Sequence, residues 1–234
     1  MHFNSELKQK VIYDESLYNK LHVFRDRYHA GEVLAKRLEA LVKKDALILA
    51  IPAGGVPVGT TVAKKLRLPF DLIIVRKMQI PYDPEAGFGA VGPDGSYEVN
   101  KRILQYLSLS DDDIKKIAEK TYNVIKQRMK KYRGNKPLPN ISGRTVILVD
   151  DGLASGYTMY MAVKWVKRQS PKKIIVAVPT APYDTVVALL KYVDLIVCLN
   201  IRRMTIFAVA DAYKKWYDVD DEEVFRCLRE VNFL

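Results

Sequence analysis

Five short, unbroken apolar runs set the terms for this chain: ALILAI at 46–51, DLIIV at 71–75, TVILV at 145–149, KIIVAV at 173–178 and DLIVCL at 194–199. Runs of this kind do not alternate apolar with polar residues, so a strand built from them is buried on both faces. That situation belongs to a parallel sheet with helices packed on each side. Between the runs lie segments with helical spacing. Residues 25–42 place Val33, Leu34, Leu38, Leu41 and Val42 on one face, and 56–66, 156–168 and 184–193 follow suit. A further helix is expected over 111–132, with Ser110 as its N-cap and three acids in its first turn. The expected fold is a single α/β domain with a core over about residues 24–199.

Two stretches depart from the alternation. Residues 76–100 carry Pro81, Pro84, Pro93 and four glycines, with Pro-Asp-Gly at 93–95 between FGAV and SYEV; this predicts a flexible excursion containing a hairpin. Residues 200–234 are rich in aromatics, including Phe207, Tyr213, Trp216, Tyr217 and Phe225, and are expected as a small hood at one end of the sheet, with 1–23 as a candidate contributor.

No apolar run approaches the ~20 residues that span a bilayer, and the N-terminus lacks the apolar core of a secretory leader. Cys198 and Cys227 are too few for a disulfide framework and lack zinc-ligand spacing. A soluble, cytoplasmic protein is the expectation. The net charge of +11 favours phosphate-bearing partners, whether nucleic acid, anionic membrane or a small polyphosphate. Its densest source, KQRMKKYRGNK at 126–136, reads either as a solvated helix end suited to the C-terminal dipole or as a nucleic-acid or subunit contact.

The chemistry is carried by TVILVDDGLASGYTM at 145–159. An apolar strand runs into Asp150 and Asp151, then into a loop of small residues, Gly152, Ala154, Ser155 and Gly156, and on through Tyr157 and Thr158 into a helix. Ligands of open parallel sheets bind beyond the carboxyl ends of the strands. Small residues let backbone N–H groups approach an anion, Ser155 and Thr158 add hydroxyl donors, and the helix N-terminus favours negative charge. Two carboxylates would repel a bare phosphate, so they face ribose hydroxyls or a divalent cation; the bland alternative is an acid pair capping the next helix. A phosphate beside a diol is a sugar phosphate.

This segment resembles the signature of type I phosphoribosyltransferases, enzymes that bind 5-phosphoribosyl-1-pyrophosphate (PRPP). The pieces FRDRYHAGEVLA, LAIPAGGVPVG, VRK, PEAGFGAVGPDG, KYRG and VAVPTAP are similar to members of undefined substrate, so the resemblance covers roughly residues 24–199. It implies that Asp150 and Asp151 hold the ribose hydroxyls and that residues 152–158 bind the 5-phosphate. It implies further that Pro52, Ala53, Gly54 and Gly55 grip pyrophosphate, that Arg76 and Lys77 contact pyrophosphate or phosphate, and that 78–100 close over the substrates. The implied cofactor is Mg²⁺, delivered with PRPP rather than held by the protein; the implied partners are PRPP and a nitrogenous base, and the implied assembly is a homodimer. Ala154 stands where 6-oxopurine enzymes carry an Asp, so the loop is more similar to that of adenine or orotate enzymes, with adenine favoured. Against this, FAVADAYKKWY at 207–217 resembles their base-covering hood, making Phe207 and Trp216 candidates for stacking on the base. Glu85 and Glu98 are weaker candidates for an acid or base. The rival reading is a regulator that keeps the PRPP site as a sensor and binds nucleic acid.

Two remaining patterns carry less. Gly87 to Gly92 spells G-x-G-x-x-G, but a Pro-Asp-Gly turn follows it instead of a helix, so it is read as part of the hairpin. His2, His22 and His29 lack mutual ligand spacing and are expected in surface or packing roles.

Overall fold

The computed structural model describes residues 9–204 and 206–234. In chain order its first half contains β1 (Val11–Ile12), α1 (Arg27–Glu39), β2 (Leu47–Ala50), α2 (Gly55–Leu66), β3 (Phe70–Leu72), β4 (Arg76–Ile80), β5 (Asp83–Val91), β6 (Tyr97–Val99) and the single turn α3 (Lys101–Leu104). The second half contains α4 (Asp111–Arg133), β7 (Thr145–Val149), α5 (Tyr157–Arg168), β8 (Lys173–Pro182), α6 (Tyr183–Leu189), β9 (Leu195–Arg202), a 3₁₀ turn at Val209–Ala212 and α7 (Asp221–Glu230).

The central sheet has the order β1-β9-β8-β7-β2-β3, and every pairing in it is parallel. The strands are buried on both faces, as their unbroken apolar runs require. Ile48, Ile147 and Ile175 pack with Leu34, Leu38, Val58 and Val62 of α1 and α2. The intervening Leu47, Leu49, Val146 and Leu148 pack with Val163, Trp165 and Val166 of α5 and Val186 of α6. Strand order reverses between β2 and β7, because the chain builds outward to β3 and then returns to the other side of β2. This is the point at which a parallel sheet opens a crevice.

β8 and β9 run past the ends of their apolar sequences, to Pro182 and Arg202. Two of the buried polar residues in the extension satisfy each other: Thr180 Oγ1 donates to Asn200 Oδ1 at 2.8 Å, and the Asn200 amide donates to the Leu17 and Lys20 carbonyls. Strand β1, on the outer edge against β9, lies in a segment with no strand signal in its residues.

The stretch 76–100 corrects an expectation. It is a three-stranded antiparallel sheet, β4-β5-β6, with the expected hairpin turn between β5 and β6. Met78, Phe88 and Val91 are fully buried in a third core with Ile114, Ala118 and Ile125 of α4. The β4–β5 tip around Tyr82 stands out into solvent. Prolines and glycines placed in turns and against neighbouring backbone lent this sheet the look of a loop. The C-terminal segment also divides. Val224, Cys227 and Leu228 of α7 belong to the third core, so only residues before α7 can serve as a hood.

The basic run at the end of α4 is largely turned to contacts within the chain. Lys131 pairs with Asp221, Lys136 bonds the Phe233 carbonyl, and Lys126 lies 5.1 Å from the Tyr122 ring. Arg133 is buried and pairs with Asp71 of β3, and its Nη2 donates to the Pro137 carbonyl at 2.6 Å. Removing one member of a buried pair leaves the other charge without compensation. Asp71→Ala is therefore expected to lower unfolding stability by about 3–5 kcal/mol, measured by urea denaturation, with no change in the secondary structure of the folded fraction.

Candidate active site at the carboxyl edge of the sheet

The loops that follow β2 and β7 meet at the reversal of strand order. They approach so closely that a Cβ on Gly54 would lie 2.1 Å from Asp151 Oδ2, and one on Gly55 would lie 2.9 Å from the Asp150 Cα. Only glycine fits at position 54 while Asp151 keeps its place. The Pro52–Ala53 peptide is cis. Within this loop the Gly55 N–H is already committed, donating to the Ile51 carbonyl at 3.1 Å.

Beyond β7 the chain turns through residues 150–156 into α5. Gly156 is the N-cap at φ 77°, a left-handed conformation that favours glycine, and it supplies no side-chain cap. The first-turn amides of α5 thus keep their anion-binding capacity. Thr185 of α6 pins the loop by donating to the Ala154 carbonyl at 2.8 Å.

A cavity of about 460 Å³ opens here. Asp150 and the loop residues Gly152 to Thr158 form one part of its wall. Lys77 of β4, with Gly87 and Gly89 of β5, forms another, and Val209 of the 3₁₀ turn a third. Strand alternation explains the hairpin's share: Gly87 and Gly89 face the cavity, while Phe88 between them enters the core.

The two acids are held differently. Asp150 lines the cavity; its Oδ1 accepts the Asp151 N–H at 2.9 Å. Burial, and next the charge of Asp151, hold the Asp150 carboxyl well above the usual carboxylate range, with Arg27 opposing the shift. Asp151 turns toward Gly54 and toward Arg27 of α1, whose Nε donates to its Oδ2 at 2.8 Å. Tyr213 donates its hydroxyl to the Asp151 carbonyl at 2.5 Å.

Known proteins share this architecture. A family model described as the phosphoribosyl transferase domain matches residues 91–218. The chain belongs to the phosphoribosyl transferase domain family. It is 35% identical over 202 residues to a Mycobacterium tuberculosis protein provisionally named a phosphoribosyl transferase; the match takes in 86% of this chain and 45% of that protein. The chain thus spans less than half the length of the curated relatives it matches. Among solved structures, the protein TT1426 from Thermus thermophilus superposes with a TM-score of 0.74 at 35% identity, covering 88% of this chain and 98% of that one.

Measured against the residues expected of the family, the cavity wall includes Asp150, Gly152, Ala154, Ser155, Gly156, Tyr157, Thr158 and Lys77. Gly54 and Gly55 lie against the acids, and none of residues 52–55 is part of that wall. The basic pair is split by the strand it sits on. Lys77 lines the cavity, whereas Arg76 is half-buried near Arg128 of α4, and burial together with that neighbouring charge lowers its pKa. Glu98 pairs with Lys164 at 3.3 Å instead of lining the cavity, and the side chain of Glu85 lies outside the described residues. Trp216 stacks on Arg27, 4.0 Å from its guanidinium carbon, and Phe207 is not in the wall; Val209 is the hood residue that is. His22 bonds the Tyr213 carbonyl at 2.9 Å and His29 accepts the Arg25 N–H at 3.2 Å, both packing roles; His2 lies outside the described residues.

Arg27 was missed by sequence reasoning. Its one signal was its presence in FRDRYHAGEVLA, a piece of the resemblance to which no role was attached. A carboxyl whose folded pKa is raised binds its proton more tightly in the folded chain, so its ionisation lowers stability as pH rises from the ordinary value of 3.8 through the raised value. Asp150→Asn keeps the acceptor for the Asp151 N–H and removes that ionisation. It is expected to melt higher than the wild type at neutral pH, with the gap closing as pH falls toward about 4, followed by scanning calorimetry across pH.

Proposed function

We propose that this chain is a PRPP-dependent phosphoribosyltransferase that transfers ribose 5-phosphate to a nitrogenous base and releases pyrophosphate. The observation that carries the reading is the cavity at the strand reversal. It brings an acid able to accept from ribose hydroxyls, an uncapped helix N-terminus suited to a phosphate and a lysine into one enclosure.

In the reaction the lone pair of the acceptor nitrogen forms the bond to C1 as the C1–O bond to pyrophosphate breaks. Pyrophosphate departs with that electron pair, and the acceptor's proton passes to solvent. Positive charge develops on the ribose and negative charge on the leaving group, so the protein's contribution is placement and electrostatics. Asp150, with Asp151 beside it, accepts from the 2- and 3-hydroxyls. Ser155, Thr158 and the first turn of α5 hold the 5-phosphate, and Lys77 offers its charge to the pyrophosphate. Each helix end contributes roughly 0.3–2 kcal/mol, so several such groups act together.

Mg²⁺ would be bound chiefly by PRPP itself and brought to the site with it. That ion would neutralise charge on the leaving pyrophosphate. Adenine is the favoured acceptor, because Ala154 gives the loop no carboxylate to manage the proton of a 6-oxopurine. A homodimer serving cytoplasmic nucleotide salvage completes the reading.

Pyrophosphate release from PRPP and Mg²⁺, assayed over a panel of purines and pyrimidines, tests it. Turnover with adenine is expected; PRPP binding without release for any acceptor would favour a PRPP sensor instead. Asp150→Asn is expected to abolish PRPP binding in calorimetry, and unchanged affinity would remove the ribose role from that residue. Replacing the β4–β5 tip 81–86 by Gly-Gly should lower kcat more than PRPP affinity, since the buried strands of the hairpin stay in place; equal losses would argue against a closing role for the tip.

A further inference from the structure

Arg27 is only 3% exposed, and a guanidinium withdrawn from water needs compensation from the groups around it. The structure supplies three kinds. Nε donates to Asp151 Oδ2 and Nη1 to the Tyr217 carbonyl, both at 2.8 Å, and the Trp216 ring lies 4.0 Å from the guanidinium carbon. Asp151 is consequently fixed at both ends, its carboxylate by Arg27 and its carbonyl by Tyr213. The carboxylate also lies against Gly54, where a side chain would collide with it.

We propose that Arg27 is a positioning residue for PRPP recognition: it holds the Asp151 carboxylate in a fixed orientation, so that its remaining capacity as an acceptor serves the ribose diol together with Asp150. The inference rests on the PRPP reading above and adds a residue to it. Lysine is a poor substitute, because it keeps the charge but lacks the planar fork that bonds Asp151 and Tyr217 at once while stacking on Trp216.

Calorimetric titration of PRPP with Mg²⁺ into the wild type, Arg27→Ala and Arg27→Lys tests this, with circular dichroism confirming that each variant is folded. Arg27→Ala is expected to weaken PRPP binding by about ten- to hundredfold, the scale of a lost charge-assisted hydrogen bond. Arg27→Lys should fall between it and the wild type. Added methylguanidinium should restore part of the affinity of Arg27→Ala and leave the wild type unchanged, which a purely structural defect would not allow. Turnover at saturating PRPP should fall less than affinity. A folded Arg27→Ala within about twofold of wild-type affinity, or a loss that methylguanidinium does not relieve, overturns the proposal. Should Arg27→Ala fail to fold, Arg27→Lys decides: wild-type affinity overturns the proposal, weakened affinity with an intact fold supports it. A wild type that does not bind PRPP overturns the functional reading itself, an outcome distinct from any failure confined to the variants.

Discussion

Parallel pairing of β2 with β7 is the constraint on which the rest of the molecule depends. Leu47 to Ala50 lie in register with Val146 to Val149, so the two chains leave the sheet side by side at its carboxyl edge. They must then diverge around each other with almost no room, and glycines at 54 and 55 are what the spacing allows. The acids that follow β7 are thereby pressed against the loop that follows β2. The raised proton affinity of Asp150 and the need for Arg27 beside Asp151 both follow from that crowding. An arrangement that disfavours folding locally is retained where chemistry calls for it.

Much of the fold was legible because a parallel sheet leaves an unambiguous trace. Continuous apolar runs located β2, β7, β8 and β9, and the capping box of Ser110 with Asp113 marked the start of α4 at the residue expected. What escaped was structure held by other means. Val11–Ile12 becomes a strand by pairing with Ile196 and Val197, a contact about 185 residues away that no local pattern announces. The β4–β6 sheet escaped because its glycines serve close backbone approach, as at Gly89 against the Glu98 carbonyl, and glycine so used cannot be told from glycine in a loop.

The site divides in the same way. Residues 150–158 were readable, since phosphate-binding chemistry fixes residue types at fixed spacing along one segment. Contributions from elsewhere depend on which way a side chain points. Arg76 and Lys77 are adjacent in sequence and on opposite faces of β4, so only one reaches the cavity. Val209 lines the cavity and Arg27 holds Asp151 because segments distant in sequence fold back on the sheet, and a helical pattern treats Arg27 as one more polar residue in α1.

The bond from Arg27 to the Tyr217 carbonyl joins positions 190 residues apart. During synthesis α1 emerges early and can pack on α2, yet its buried guanidinium has no Trp216 ring and no Tyr217 carbonyl until those residues are made. The surroundings of Arg27 are therefore completed only when residues 216 and 217 fold back on α1. A nascent chain stalled before that point carries the loops and acids of the cavity with Arg27 lacking two of its three partners.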